Sequence, residues 1–120
     1  MEMDGAAFDI DKFRLAFEGG KPEDILAFYA DDLEHVEIDQ DAPPRSPRTS
    51  GIDGIREAFE GLAQAGIPLK MENVFAGSDR AACTITCAFP DGRRLLSNTI
   101  YDVKDGKIVR QLDIQVTDPE

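Results

Sequence analysis

Between residues 50 and 66, Ile52, Ile55, Phe59 and Leu62 recur at three- and four-residue intervals, the period of a helix that buries one face. Ser50 with Asp53 predicts a capping box with Asp in place of Glu, and Gly66 with Pro68 predicts the stop. Upstream, Phe8 to Phe17 puts Ile10, Phe13 and Phe17 on one helical stripe, ended by Gly19-Gly20. A short second helix follows. Pro22, Glu23 and Asp24 suit its first turn, and Ile25, Leu26, Phe28 and Tyr29 supply its apolar side. The two should pack as a hairpin.

From Leu33 to Asp39 the period changes to two, with Val36 and Ile38 alternating with acidic or polar residues. DAPPRSPRTS then has no apolar period and reads as a surface connector to the central helix. Four strands are predicted after that helix, near Leu69 to Ala76, Arg80 to Phe89, Arg93 to Val103 and Lys107 to Val116. Gly77-Ser78-Asp79, Pro90-Asp91-Gly92 and Lys104-Asp105-Gly106 fit hairpin turns, so consecutive strands should pair antiparallel. The order α-α-β-α-β-β-β-β predicts one α+β domain over residues 1–120, with three helices on a curved antiparallel sheet and a pocket between the layers.

Composition narrows the partners. With 24 acidic against 13 basic residues the chain carries a formal charge of -11, which repels a phosphate backbone and argues against nucleic acid. No stretch resembles a membrane span or a signal h-region, so a cytoplasmic protein with no membrane partner is expected. Cys83 and Cys87 alternate onto one strand face with Cα atoms about 13 Å apart, too far for a disulfide. They are expected to be free thiols in the core, and no Cys or His cluster at ligand spacing predicts a zinc site.

Several segments carry a family resemblance. AFEGGKPEDILAFYADDLEHVEID, the proline-rich loop, SGIDGIREAFEGL and YDVKDGKIVRQLD together resemble the nuclear transport factor-like superfamily, in its SnoaL-like and ketosteroid-isomerase-like branch. The shared features are a helix hairpin ending in Tyr-Ala-Asp-Asp, a Gly-x-x-x-Ile-Arg third helix and a final Asp-Gly-Lys-Ile-Val hairpin. The resemblance implies a cone-shaped fold, a deep apolar pocket and a homodimer through the outer sheet. The branch holds isomerases, cyclases, hydratases and epoxide hydrolases beside members that only bind, so fold alone does not assign activity.

Isomerases of that branch carry a general-base Asp five residues after Ala-Asp-Asp. The same count from Asp32 reaches Glu37, and Asp39 follows on the same strand face; either carboxylate, buried against apolar walls, suits proton abstraction beside a carbonyl. Against this, Val36 and Ile38 are the obvious core residues, which would turn His35, Glu37 and Asp39 toward solvent. His35, the one histidine, is a base or a proton relay to Glu37 if it reaches the pocket. Of the branch's two oxyanion donors, a Tyr is matched by Phe13, which donates nothing, and a protonated Asp by Asn98, which donates through its amide. Asp113 stands on the last strand, where some cyclases and epoxide hydrolases place an acid, though a sheet-surface role suits it equally.

Phe13, Phe17, Phe28 and Phe59 are expected to form core and apolar pocket walls, with Tyr101 either offering a phenol to the pocket or pairing across strands. Two readings follow. One is a cofactor-free acid/base enzyme of isomerase, cyclase or hydratase/epoxide hydrolase type acting on a small, largely apolar molecule. The other is a non-catalytic dimeric binding or interaction module, whose pocket would be wholly apolar with Glu37 and Asp39 outside it.

Overall fold

A computed structural model describes residues 8–119. Helix α1 (Ile10–Gly19) begins where the Asp9 carboxylate accepts hydrogen bonds from the N–H groups of Asp11 and Lys12, and ends at Gly20, whose φ of 77° is the left-handed conformation glycine adopts freely. Helix α2 (Pro22–Leu26) is followed by strand β1 (Tyr29–Ile38), the short strand β2 (Arg48–Ser50) and helix α3 (Ile52–Gln64). Strands β3 (Leu69–Ala76), β4 (Arg80–Ala88), β5 (Arg94–Lys104) and β6 (Lys107–Thr117) complete the chain in the predicted positions. Among the described residues no helix is long and apolar enough to cross a membrane.

The fold is α+β, with three helices on one curved six-stranded sheet in the order β2-β1-β6-β5-β4-β3. The sheet is mixed rather than wholly antiparallel, because β1 lies parallel to β6. The reason is topological. Each hairpin in the β3 to β6 meander reverses the chain, so β6 returns in the direction of β1, and no local turn joins them.

Three local expectations change for tertiary reasons. Phe28 and Tyr29 leave the second helix, because the Ile108 N–H donates to the Phe28 carbonyl (2.9 Å) and the Tyr29 phenol turns inward. The proline-rich connector contains β2, paired antiparallel to β1 with Ser50 opposite His35. That pairing occupies Ser50, so the N-cap of α3 is Gly51, with no side-chain cap in place of the expected capping box.

The core fills the space between helices and sheet. Phe13 is fully buried, with Phe8, Phe17, Phe28, Tyr29 and Tyr101 around it at ring separations of 5.3 to 6.1 Å. Cys83 and Cys87 are free and buried. Burial pushes the Cys83 thiol up to about 11 and raises Cys87, Tyr29 and Tyr101 by the same desolvation. All four groups are held neutral in the fold but ionise earlier in the unfolded chain. Above the ordinary thiol value of 9.0 the unfolded state therefore loses protons first, and stability falls as pH rises toward 11. Denaturant midpoints measured between those limits should decline steadily, with thiols unreactive to alkylation until unfolding; a flat profile would contradict this burial.

Candidate active site

The polar site exists because β6 changes parity. Ile108 points into the core, and strict alternation would next turn Arg110, Leu112 and Ile114 inward. Instead β5 pairs Val103 with Ile108 but Asp102 with Arg110, so Val109 is an extra residue on β6, a bulge. Beyond it Gln111 and Asp113 are buried on the helix side, while Ile114 and Val116 are exposed on the outer face. Alongside them β1 places His35 opposite Gln111 and Glu37 opposite Asp113, and β5 places Thr99 opposite Asp113. Side chains directly opposite one another share a face, so these residues form one polar patch.

Every oxygen of Asp113 is engaged. Thr99 Oγ1 donates to Oδ1 at 2.8 Å, Gln111 Nε2 lies 3.2 Å from both oxygens, and His35 Nε2 lies 2.7 Å from Oδ2. The Tyr29 phenol donates to Gln111 Oε1 at 2.6 Å, which aims the amide nitrogen of Gln111 at the carboxylate. Desolvation raises the Tyr29 phenol, so it remains a donor. Ser97 Oγ lies 3.0 Å from Thr99 Oγ1 and completes the chain of donors. With the carboxylate accepting, His35 Nε2 is the donor, which fixes the ring plane; in the neutral imidazole the lone pair is then on Nδ1.

The patch lines one end of a cleft of about 150 Å³ beneath α3. The remainder of the lining is apolar, Phe17, Ile55, Phe59, Leu62 and Ile85 among it, and among the described residues no lysine or arginine takes part. The cleft thus suits an apolar body with a polar, uncharged end. His35, Glu37 and Asp113 each offer one ligand atom within 4.8 Å of the others. A cation held there would take the place of the proton between His35 and Asp113.

The proposed site residues fall into separate places. His35 and Glu37 face the cleft rather than solvent, with Glu37 half-buried, its carboxylate 3.3 Å from Gln115 Nε2 and 3.6 Å from Arg48 Nη1. Val36 is buried on the opposite face, so both faces of β1 are covered. Asp39 lies outside the cleft, where a hydrogen bond from Arg48 at 3.0 Å holds its carboxyl below the usual range. Asn98 is exposed on the outer face and bonds Thr84, one residue out of phase with the inward-facing Thr99. Phe17 and Phe59 form cleft wall, while Phe13, Phe28 and Tyr101 pack outside its lining.

Asp113 thus sits at the centre of the site, not on the sheet surface. Ser97, Thr99, Gln111 and Gln115 escaped the sequence reading. Their only signal is alternation of polar with other residues in LLSNTIY and RQLDIQV, a pattern that reads equally as a solvent face.

The geometry can be set beside known proteins. The solved structure of an NTF2-like protein of unknown function from Mesorhizobium loti is 19% identical, with a TM-score of 0.71 over 92% of this chain and 88% of that one. A provisionally named ketosteroid isomerase from Kribbella flavida is 21% identical, with a TM-score of 0.67 over 92% of this chain and 75% of its own. A provisionally named polyketide cyclase from Xanthomonas campestris is 20% identical, with a TM-score of 0.62 over 88% and 85%. These likenesses concern the fold. No curated protein sequence matches the chain. The model of the SnoaL-like domain matches residues 10–111, most of the chain, and this establishes that the protein belongs to the SnoaL-like family.

Proposed function

We propose that this protein is a cofactor-free acid/base enzyme of isomerase, cyclase or hydratase/epoxide hydrolase type, acting on a small, largely apolar carbonyl compound or epoxide. The observation that carries the reading is the buried His35–Asp113 pair at the polar end of an otherwise apolar cleft. A purely binding pocket has no need of a histidine oriented by a carboxylate that is itself held by Thr99 and Gln111. In this reading Asp113 orients His35, His35 moves the proton, and Glu37 at the cleft wall is the second carboxylate, with Asn98 and Asp39 taking no part. With acidic groups and, among the described residues, no lysine or arginine on its walls, the cleft disfavours carboxylate substrates.

The test is solvent-deuterium incorporation into a panel of neutral cyclic ketones, with hydration of small epoxides followed in parallel. Turnover or exchange above the background in buffer is expected for at least one compound. Failure across the panel, together with no detectable binding of any member, would remove the acid/base reading.

We also infer a homodimer through the outer sheet face. Leu96, Ile100, Ile114 and Val116 are all exposed there, with Leu96 opposite Val116 across β5 and β6. On a chain of net charge -11, a face whose central residues are uncharged is where two copies meet with least repulsion. Ile114→Glu adds charge at a position already 47% exposed, so the monomer should stay folded. Light scattering is expected to show a wild-type dimer and a monomeric variant, the dissociation constant rising about 100-fold or more. A dimeric variant, or a monomeric wild type, would exclude this interface.

A further inference from the structure

We propose that Ser50 is a nucleophile activated by the His35–Asp113 pair, giving the protein a second capacity: hydrolysis of small carboxylic esters through an acyl-serine. Ser50 Oγ lies 3.4 Å from His35 Nδ1, and His35 Nε2 lies 2.7 Å from Asp113 Oδ2, so the three side chains form a continuous nucleophile, base and orienter relay. Nδ1 is the ring nitrogen left with its lone pair, and Ser50 is the group that faces it. A separation of this size is within the looser range of catalytic hydrogen bonds before substrate binds.

Two further features fit. Ser50 is exposed at the sheet edge, directly opposite the buried His35, so reagent reaches the hydroxyl while the base stays shielded. It is also the last residue of β2, two residues before α3, a 13-residue helix whose first turn has no side-chain cap. The first backbone N–H groups of such a turn have no intrahelical partners, the kind of donor an acyl-transfer oxyanion uses. Gly54 makes the close approach possible: a Cβ there would fall 2.8 Å from Ser50 Cβ and 2.9 Å from its Oγ.

The chemistry balances without any further reagent. Ser50 Oγ forms a bond to the acyl carbon as its proton passes to His35 Nδ1, and the carbonyl electron pair moves to oxygen. Collapse breaks the ester C–O bond, and the departing alkoxide takes the proton from Nδ1. Water then attacks the acyl-serine, gives its proton to Nδ1, and Ser50 recovers that proton as the carboxylic acid leaves. The proposal rests on the same His35–Asp113 pair as the acid/base reading, with Ser50 rather than a substrate carbon giving its proton to Nδ1.

The experiment treats the full chain with phenylmethylsulfonyl fluoride and, separately, 4-nitrophenyl acetate near neutral pH, with adducts mapped by peptide mass spectrometry. A single adduct on Ser50 is expected from each reagent. Labelling should be lost in Ser50→Ala, retained in the neighbouring Thr49→Ala, and slowed at least tenfold in His35→Gln. Gly54→Ala, which keeps all three residues but whose Cβ would fall within 2.9 Å of Ser50 and force its side chain to shift, should also slow it. Absence of a Ser50 adduct, or labelling equally fast in His35→Gln with native circular dichroism, would overturn the proposal. Because deuterium exchange does not use Ser50, persistence of exchange without an adduct would sink this inference alone.

Discussion

Asp113→Asn is expected to leave the fold standing while lowering turnover of any substrate handled by His35 about 10²- to 10⁴-fold. The carboxylate accepts from Thr99, Gln111 and His35 at once. An amide offers one accepting oxygen and one donating nitrogen, so one of these partners must reverse its role. If the oxygen stays toward Thr99, the amide nitrogen faces His35 Nε2, which must then accept, and the proton moves to Nδ1. The base toward Ser50 disappears with no loss of volume. If the amide turns the other way, Thr99 must accept from the amide and His35 keeps only a neutral, weaker acceptor.

Either arrangement should cost stability roughly 1 kcal/mol, because the hydrogen bonds are exchanged rather than abandoned. Asp113→Ala differs: it strands three buried donors and should cost roughly 2 to 4 kcal/mol. Denaturant melts of both variants beside their turnover separate orientation from folding. Full activity in Asp113→Asn would show that the pair does no chemistry.

Phe13→Ala is expected to destabilise the protein by about 3 to 5 kcal/mol, lowering the melting temperature by about 10 to 20 °C. Phe13 is fully buried, and the rings of Tyr29 and Tyr101 lie 6.0 and 5.4 Å from its own. Truncation opens a cavity at the junction of α1 and the sheet, and the surrounding rings belong to separate elements that cannot collapse together. The effect reaches the site, because Tyr29 is also the residue whose phenol aims Gln111 at Asp113. Leu15→Ala on the same helix is the control: Leu15 is 75% exposed, and its loss should change stability by no more than about 0.5 kcal/mol. A similar small loss for Phe13→Ala would show that the aromatic cluster is not the core of this fold.

The helices and the meander were legible because their signals are local. Ile55 and Phe59 mark the buried face of α3, and the turn residues around Gly92 and Gly106 delimit β4, β5 and β6. What one element does to another was not legible. Ser50 and Asp53 read as a capping box until β1 appears beside Ser50. Counting placed a donor at Asn98, on the right strand, but a strand shows its two faces to different surroundings and one residue of error moves a side chain through the sheet.

By itself, the sequence determined the three helices, the five long strands, their order and the free buried thiols, since each follows from short-range periodicity and turn chemistry, but not the short β2. The site was decided only in three dimensions. Gln111, Asp113 and Gln115 alternate with Leu112, Ile114 and Val116, and nothing in that pattern says which set faces the helices. The bulge at Val109 turns the polar set inward, and the parallel pairing of β1 with β6 then brings His35 and Glu37 beside it. The physical reason is that a strand's parity is inherited from its neighbours' register, a long-range property that no window of sequence contains.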